Sequence, residues 1–147
     1  MPGHSDLHYN TSFQQLLAPS THAAAVTSAS LDLQNYDSAE AMVSIGPAVD
    51  TLSGTVRIEL AVQVSADNST WVACADTDIT TPVTGGVATG TFAILNANSM
   101  LPGVFFVGYI GNMRYMRVQA NFVGATSGEI VDILGVAGRP KIAPVNA

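Results

Sequence analysis

Between Val56 and Val64 the chain reads VRIELAVQV, and Val56, Ile58, Leu60, Val62 and Val64 take every second position. Arg57, Glu59, Ala61 and Gln63 sit between them. Strict alternation over nine residues is the pattern of a strand with one buried face. The turn SADNST follows, built from residues whose side chains close on their own backbone. Trp71 to Cys74 then open a return strand. Residues 56–75 therefore read as a β-hairpin carrying the single tryptophan, expected as a core anchor.

The same period recurs along the chain. Ala41, Val43 and Ile45 alternate with Met42 and Ser44, and Met116, Val118, Ala120 and Phe122 alternate with Arg117, Gln119 and Asn121. Short strands are also expected within 21–33, at Thr91–Leu95 and at Ile130–Val136. Val104–Ile110, VFFVGYI, is apolar throughout. That suits a strand buried on both faces, or one with a core face and a face covered by a partner. Eight to ten strands with no helix of ordinary length predict an all-β fold, a β-sandwich of jelly-roll type.

The two ends read differently. Residues 1–19 are expected as an N-terminal arm, with 20–138 as the sandwich domain and 139–147 as an extended, proline-bearing tail. Phe13, Leu16 and Leu17 have the i, i+3, i+4 spacing of one helical turn closed by Pro19. The arm reaches a neighbouring subunit, caps its own domain or is a frayed terminus.

Composition narrows the function. Charged residues make up 11% of the chain. Ordinary soluble domains carry about 25%. The surface is therefore built from small polar and apolar groups. Such a surface is cheap to desolvate, which suits a subunit packed in an assembly. The formal net charge is −6, and the only basic side chains are Arg57, Arg114, Arg117, Arg139 and Lys141. That argues against direct nucleic-acid binding. No apolar run reaches the length of a membrane span, and MPGHSDLHYN is no signal peptide, so synthesis in a cytoplasm is expected. Cys74 is alone and expected as a small core residue.

Catalytic chemistry is absent from the pattern. His4, His8 and His22 lack companion ligands at metal spacing, Asp76 and Asp78 lack the rest of a calcium loop, and Gly85-Gly86 is followed by no helix. No nucleophile–base order or paired carboxylates can be assembled, so neither an enzyme nor a cofactor or metal site is expected. Arg57, Glu59, Arg114 and Arg117 are expected in cross-strand ion pairs.

Four segments in order carry a resemblance: SLDLQNYDSAEAMVSIG, VRIELAVQVSADNSTWVACADTDI, VGYIGNMRYMRV and VDILGVAGRPKIAP. With Tyr36 in its turn, Ser65, Asp67 and Ser69 in the hairpin, the Tyr109–Val118 block and Gly138, Pro140 and Pro144 at the end, they resemble accessory capsid proteins of bacteriophages. The resemblance implies a decoration or cement protein on the capsid exterior. Its partners would be the major capsid protein and further copies of itself, as a homo-oligomer such as a trimer. The adhesive residues it implies are Phe13, Leu16 and Leu17 in the arm, Phe105 in the apolar strand, and Ile142 and Val145 in the tail. The hairpin and the RYMRV block are also similar to discoidin-like (F5/8 type C) jelly rolls. That implies the alternative of a carbohydrate-binding module on a tail or fibre, with Trp71 or Tyr115 stacking on the sugar. A head–tail or tail-tube component, forming rings, is the third alternative.

Overall fold

The computed structural model describes residues 7–124 and 126–142. Among the described residues, ten strands form two antiparallel sheets that pack face to face. Sheet A contains β1 (Thr11–His22), β10 (Glu129–Pro140), β4 (Tyr36–Ile45) and β8 (Gly103–Tyr109), in that spatial order. Sheet B is centred on β9 (Tyr115–Val123) and β5 (Arg57–Ser65). The short strands β2 (Val26–Thr27) and β3 (Leu31–Asp32) pair with β9, while β6 (Val72–Ala73) and β7 (Thr91–Leu95) pair with β5. The expected all-β sandwich is what the chain forms. Among the described residues, helix is confined to single 3-10 turns at Asp76–Asp78 and Asn98–Met100.

The core lies between the sheets. Val43, Ile45, Val131 and Ile133 from sheet A meet Ile58, Leu60, Val62, Met116 and Val118 from sheet B, all buried. Each such side chain contributes about 1.5–3 kcal/mol relative to exposure. Cys74 is buried among them.

The helical turn expected at Phe13–Leu17 is not formed; these residues belong to β1, the outer strand of sheet A. The ladder with β10 slips between Gln15 and Leu17 and again between Leu17 and Ser20. A bulge turns two successive side chains to one face. Phe13 lies opposite Val136 on the outward face, while Leu16 and Leu17 both turn toward the core. The phase change of a bulged strand thus imitates helical spacing. Gly135 makes room for it: a Cβ there would stand 2.9 Å from Leu16 Cδ1 and 3.3 Å from Leu31 Cδ1. Pro19 falls in the second slip, where the ladder asks for no donor. From Thr11 onward the residues read as an arm are therefore integral sheet. At the other end the β10 ladder continues to Pro140, which lies opposite Tyr36.

The central hairpin also differs from its pattern. β5 is buried on both faces, Glu59 and Ala61 included. The 79–90 segment folds over its outer side. There the Val87 N–H donates to Glu59 Oε2 (2.6 Å), the Val62 N–H donates to the Gly90 carbonyl (2.9 Å), and the Gly90 N–H donates to Asp76 Oδ1 (2.7 Å). Gly90 has φ +72°, and a Cβ on it would meet the Cys74 carbonyl at 2.8 Å. This close approach requires glycine. Glu59 keeps its charge paired: Arg57 Nε lies 2.8 Å from Oε1.

Candidate functional site

The outward faces of the two sheets differ in chemistry. On sheet A the side chains turned from the core come from register rows that cross the strands: Phe13–Val136–Glu40–Gly108, Gln15–Leu134–Met42–Phe106, and Asp132–Ser44–Val104. Phe13, Val104 and Phe106 are each 52% exposed and Ile130 is 50% exposed. Met42, Leu134 and Val136 are half-buried between them. A concavity of about 350 Å³ lies on this face, between Leu7, Phe13, Met42 and Val136. Only Glu40 and Asp132 bring charge to these rows. Contiguous exposed apolar side chains rimmed by polar groups mark an interaction surface.

The same sheet has an open edge at β8. The Gly108 N–H donates to Thr80 Oγ1 (3.0 Å) and its carbonyl accepts from the Thr80 N–H (3.0 Å). The backbone groups of Gly108 therefore point away from β4, and by the two-residue period so do those of Phe106 and Val104. The segment Asp78–Thr80 covers this edge only at its Gly108–Ile110 end. Natural edges are blunted by charge, proline, bulges or shortness. β1 has bulges and Pro19, and the borders of sheet B are two-residue strands plus β7. Val104–Phe106 has none of these devices.

Sheet B presents a polar outer face. Gln63 and Gln119 are joined side chain to side chain (2.9 Å), and Arg117 Nε donates to Gln63 Oε1 (2.8 Å). The Arg117 guanidinium lies 4.0 Å from the Trp71 ring centroid, and that of Arg114 lies 4.8 Å from the Tyr115 ring. Desolvation lowers the Arg117 pKa from its ordinary value. The turn below is held by Asp67, whose carboxylate accepts from the Thr70 and Ser69 N–H groups (2.8 and 3.0 Å). Those bonds, with the Ser65 hydroxyl, hold its pKa far below the usual carboxylate range.

Several expected site residues are relocated. Leu16 is buried in the core, while Leu17 and Phe105 are half-buried and pack partly against it. The outward side chains are instead their neighbours Phe13, Val104 and Phe106. Ile142 is 78% exposed at the end of the described chain, and Val145 lies outside the described residues, as does His4. Trp71 is half-buried and outside the core cluster, which corrects its expected role as a core anchor. One face of both Trp71 and Tyr115 is taken by a guanidinium, leaving less ring surface for a sugar. Of the basic residues, Arg57 pairs with Glu59 and Arg114 with Asp32 (Nη2 to Oδ2 2.7 Å); Arg117 bonds to glutamine instead. No group of three or more His, Cys, Asp or Glu side chains among the described residues could hold a metal, and no described helix is long and apolar enough to cross a membrane.

What fold and site define together is an antiparallel β-sandwich with one apolar, open-edged sheet face. No family model matches the chain, and no curated protein matches it. Among solved structures it is similar to SPBc2 prophage-derived protein YomS, at 15% identity and a TM-score of 0.46, over 88% of this chain and 94% of that one. A likeness of that degree carries no statement about what this chain does.

Proposed function

We propose that the chain is a structural virion protein of a bacteriophage, a capsid decoration or cement protein that binds the major capsid protein through the outer face of sheet A. The observation that carries this reading is the apolar face formed by Phe13, Val104, Phe106 and Ile130 with Val136 and Leu134 between them, beside the unprotected β8 edge. The ordered resemblance of four sequence segments to phage accessory capsid proteins supports the virion setting. The mechanism is adhesive. Apolar area is removed from water at about 25 cal/mol per Å², repeated over many copies, with little desolvation penalty because so few charges surround it. Self-association into a homo-oligomer uses part of the same surface. No bond is made or broken, and the protein is not an enzyme in this account.

Light scattering on the purified protein, followed by co-sedimentation with emptied capsids, tests the proposal. A discrete oligomer that pellets with the shells agrees with it. A monomer that stays in the supernatant at every concentration contradicts it.

A further inference from the structure

Where β4 begins and β8 and β10 end, an open cavity of about 710 Å³ adjoins the sandwich. Three of the chain's five basic side chains line it, Arg114, Arg139 and Lys141, although the formal net charge is −6. Two of them are already committed. Arg114 holds Asp32 bidentately, Nε to Oδ1 at 2.9 Å and Nη2 to Oδ2 at 2.7 Å. Lys141 Nζ donates to the Gln34 carbonyl (3.3 Å) and lies 3.8 Å from Asp37. Arg139 has no ion pair or hydrogen-bond partner for its guanidinium among the described residues. It also sits at φ +53°. Glycine takes that left-handed conformation far more readily than arginine. Non-glycine residues held in that region of backbone space cluster at ligand clamps and switch regions. The rest of the lining is mixed: Ile110 and Met113 are exposed and Tyr36 and Tyr109 stand at the wall, with Gln34, Ser38, Thr80 and Asn112 supplying polar groups.

From this juxtaposition we infer that the cavity binds a carboxylate carried on an apolar body, with Arg139 as its charge partner and Ile110 and Met113 against the body. The volume is that of an ordinary small-ligand site. Charge selects the ligand class. With Arg114 and Lys141 balanced by Asp32 and Asp37, one positive charge is left uncompensated, which matches a monoanion. A phosphate dianion would leave net negative charge in an already acidic protein. The planar guanidinium fork fits a carboxylate through two parallel hydrogen bonds. The carboxylate can come from a free small acid or from a peptide that ends in, or contains, an acidic residue. The inference is independent of the adhesive reading.

Titration followed by amide NMR on the full chain tests it. The probes are N-acetylphenylalanine, its uncharged amide, and acetylated tetrapeptides carrying the carboxylate either at the C-terminus or on an internal glutamate. The acid is expected to give saturable shifts at Gly108, Gly111 and Lys141 and to bind at least tenfold more tightly than the amide. Arg139→Gln should erase that preference. Arg139→Gly, which suits the local backbone, should do the same with the remaining spectrum unchanged, so a folding defect cannot explain the loss. Tighter binding of either peptide than of the free acid identifies a polypeptide source, and the reverse identifies a small acid. Equal binding of acid and amide, shifts confined to other surfaces, or a preference that survives in both variants overturns the inference.

Discussion

Phe106 and Val107 are adjacent in β8 and point to opposite sides of sheet A, which lets binding and folding be separated within one strand. Phe106 is about half exposed on the outward face, whereas Val107 is buried. A phenylalanine offers ~200 Å². Roughly 100 Å² of it is therefore left for a partner to cover, corresponding to about 2.5 kcal/mol. Phe106→Thr keeps a strand-favouring, β-branched residue and removes most of that area, for an expected loss of about 2 kcal/mol in binding, or roughly 30-fold. Its folding stability should stay within about 0.5 kcal/mol, as for other surface changes. Val107→Ala deletes two buried methyl groups and should cost about 1.5–2.5 kcal/mol of stability, lowering Tm by roughly 3–8 °C, with shell binding intact in the folded protein. The assays are thermal unfolding by circular dichroism and quantitative co-sedimentation with emptied capsids. Wild-type affinity in Phe106→Thr, at unchanged stability, would refute the assignment of this face.

Three further outcomes follow from the structure. Gly135→Val places methyl groups against Leu16 and Leu31, where a bare Cβ already stands 2.9 Å from Leu16 Cδ1. Denaturant unfolding should show a loss of about 1–3 kcal/mol. Asp67 has a folded-state pKa held below its unfolded value by the Thr70 and Ser69 N–H groups. Its contribution is therefore present above the unfolded carboxylate's pKa, about 3.9, and lost as pH falls through the lower folded value. The Tm gap between wild type and Asp67→Asn should accordingly be constant above about pH 5 and narrow progressively as pH falls below it. Burial, and then the neighbouring Asp78 and Asp76, push the Cys74 thiol up to about 11. A disulfide reagent at about pH 8 should label it only as fast as the protein opens, and rapid native-state labelling would contradict the packing.

The core is legible in the sequence because its signal is local. Val43, Ile45, Val62 and Val118 each sit in a two-residue period, and the structure buries them all. What escapes depends on more than one segment. The slips in β1 are set by its pairing with β10, and without them Leu16 and Leu17 cannot be told from a helical turn. Burial of Glu59 and Ala61 on the second face of β5 comes from the 79–90 segment folding back, which no period in β5 announces. In VFFVGYI both parities are apolar, so the sequence does not choose between Phe105 and Phe106 as the outward ring; the register with β4 does. Trp71 reads as a core residue only because its partner, Arg117, is brought across from another strand. Arg139 carries no signal of its own, since its cavity is assembled from three strand ends.

The most direct measurement is hydrogen–deuterium exchange of the protein free and bound to emptied capsids. The account predicts slowed exchange in peptides covering residues 103–107 and 130–138, the open edge and outward face of sheet A, with residues 66–73 of the Trp71 turn unchanged. Protection concentrated at 66–73 and 115–121, with sheet A exchanging as in the free protein, would contradict it.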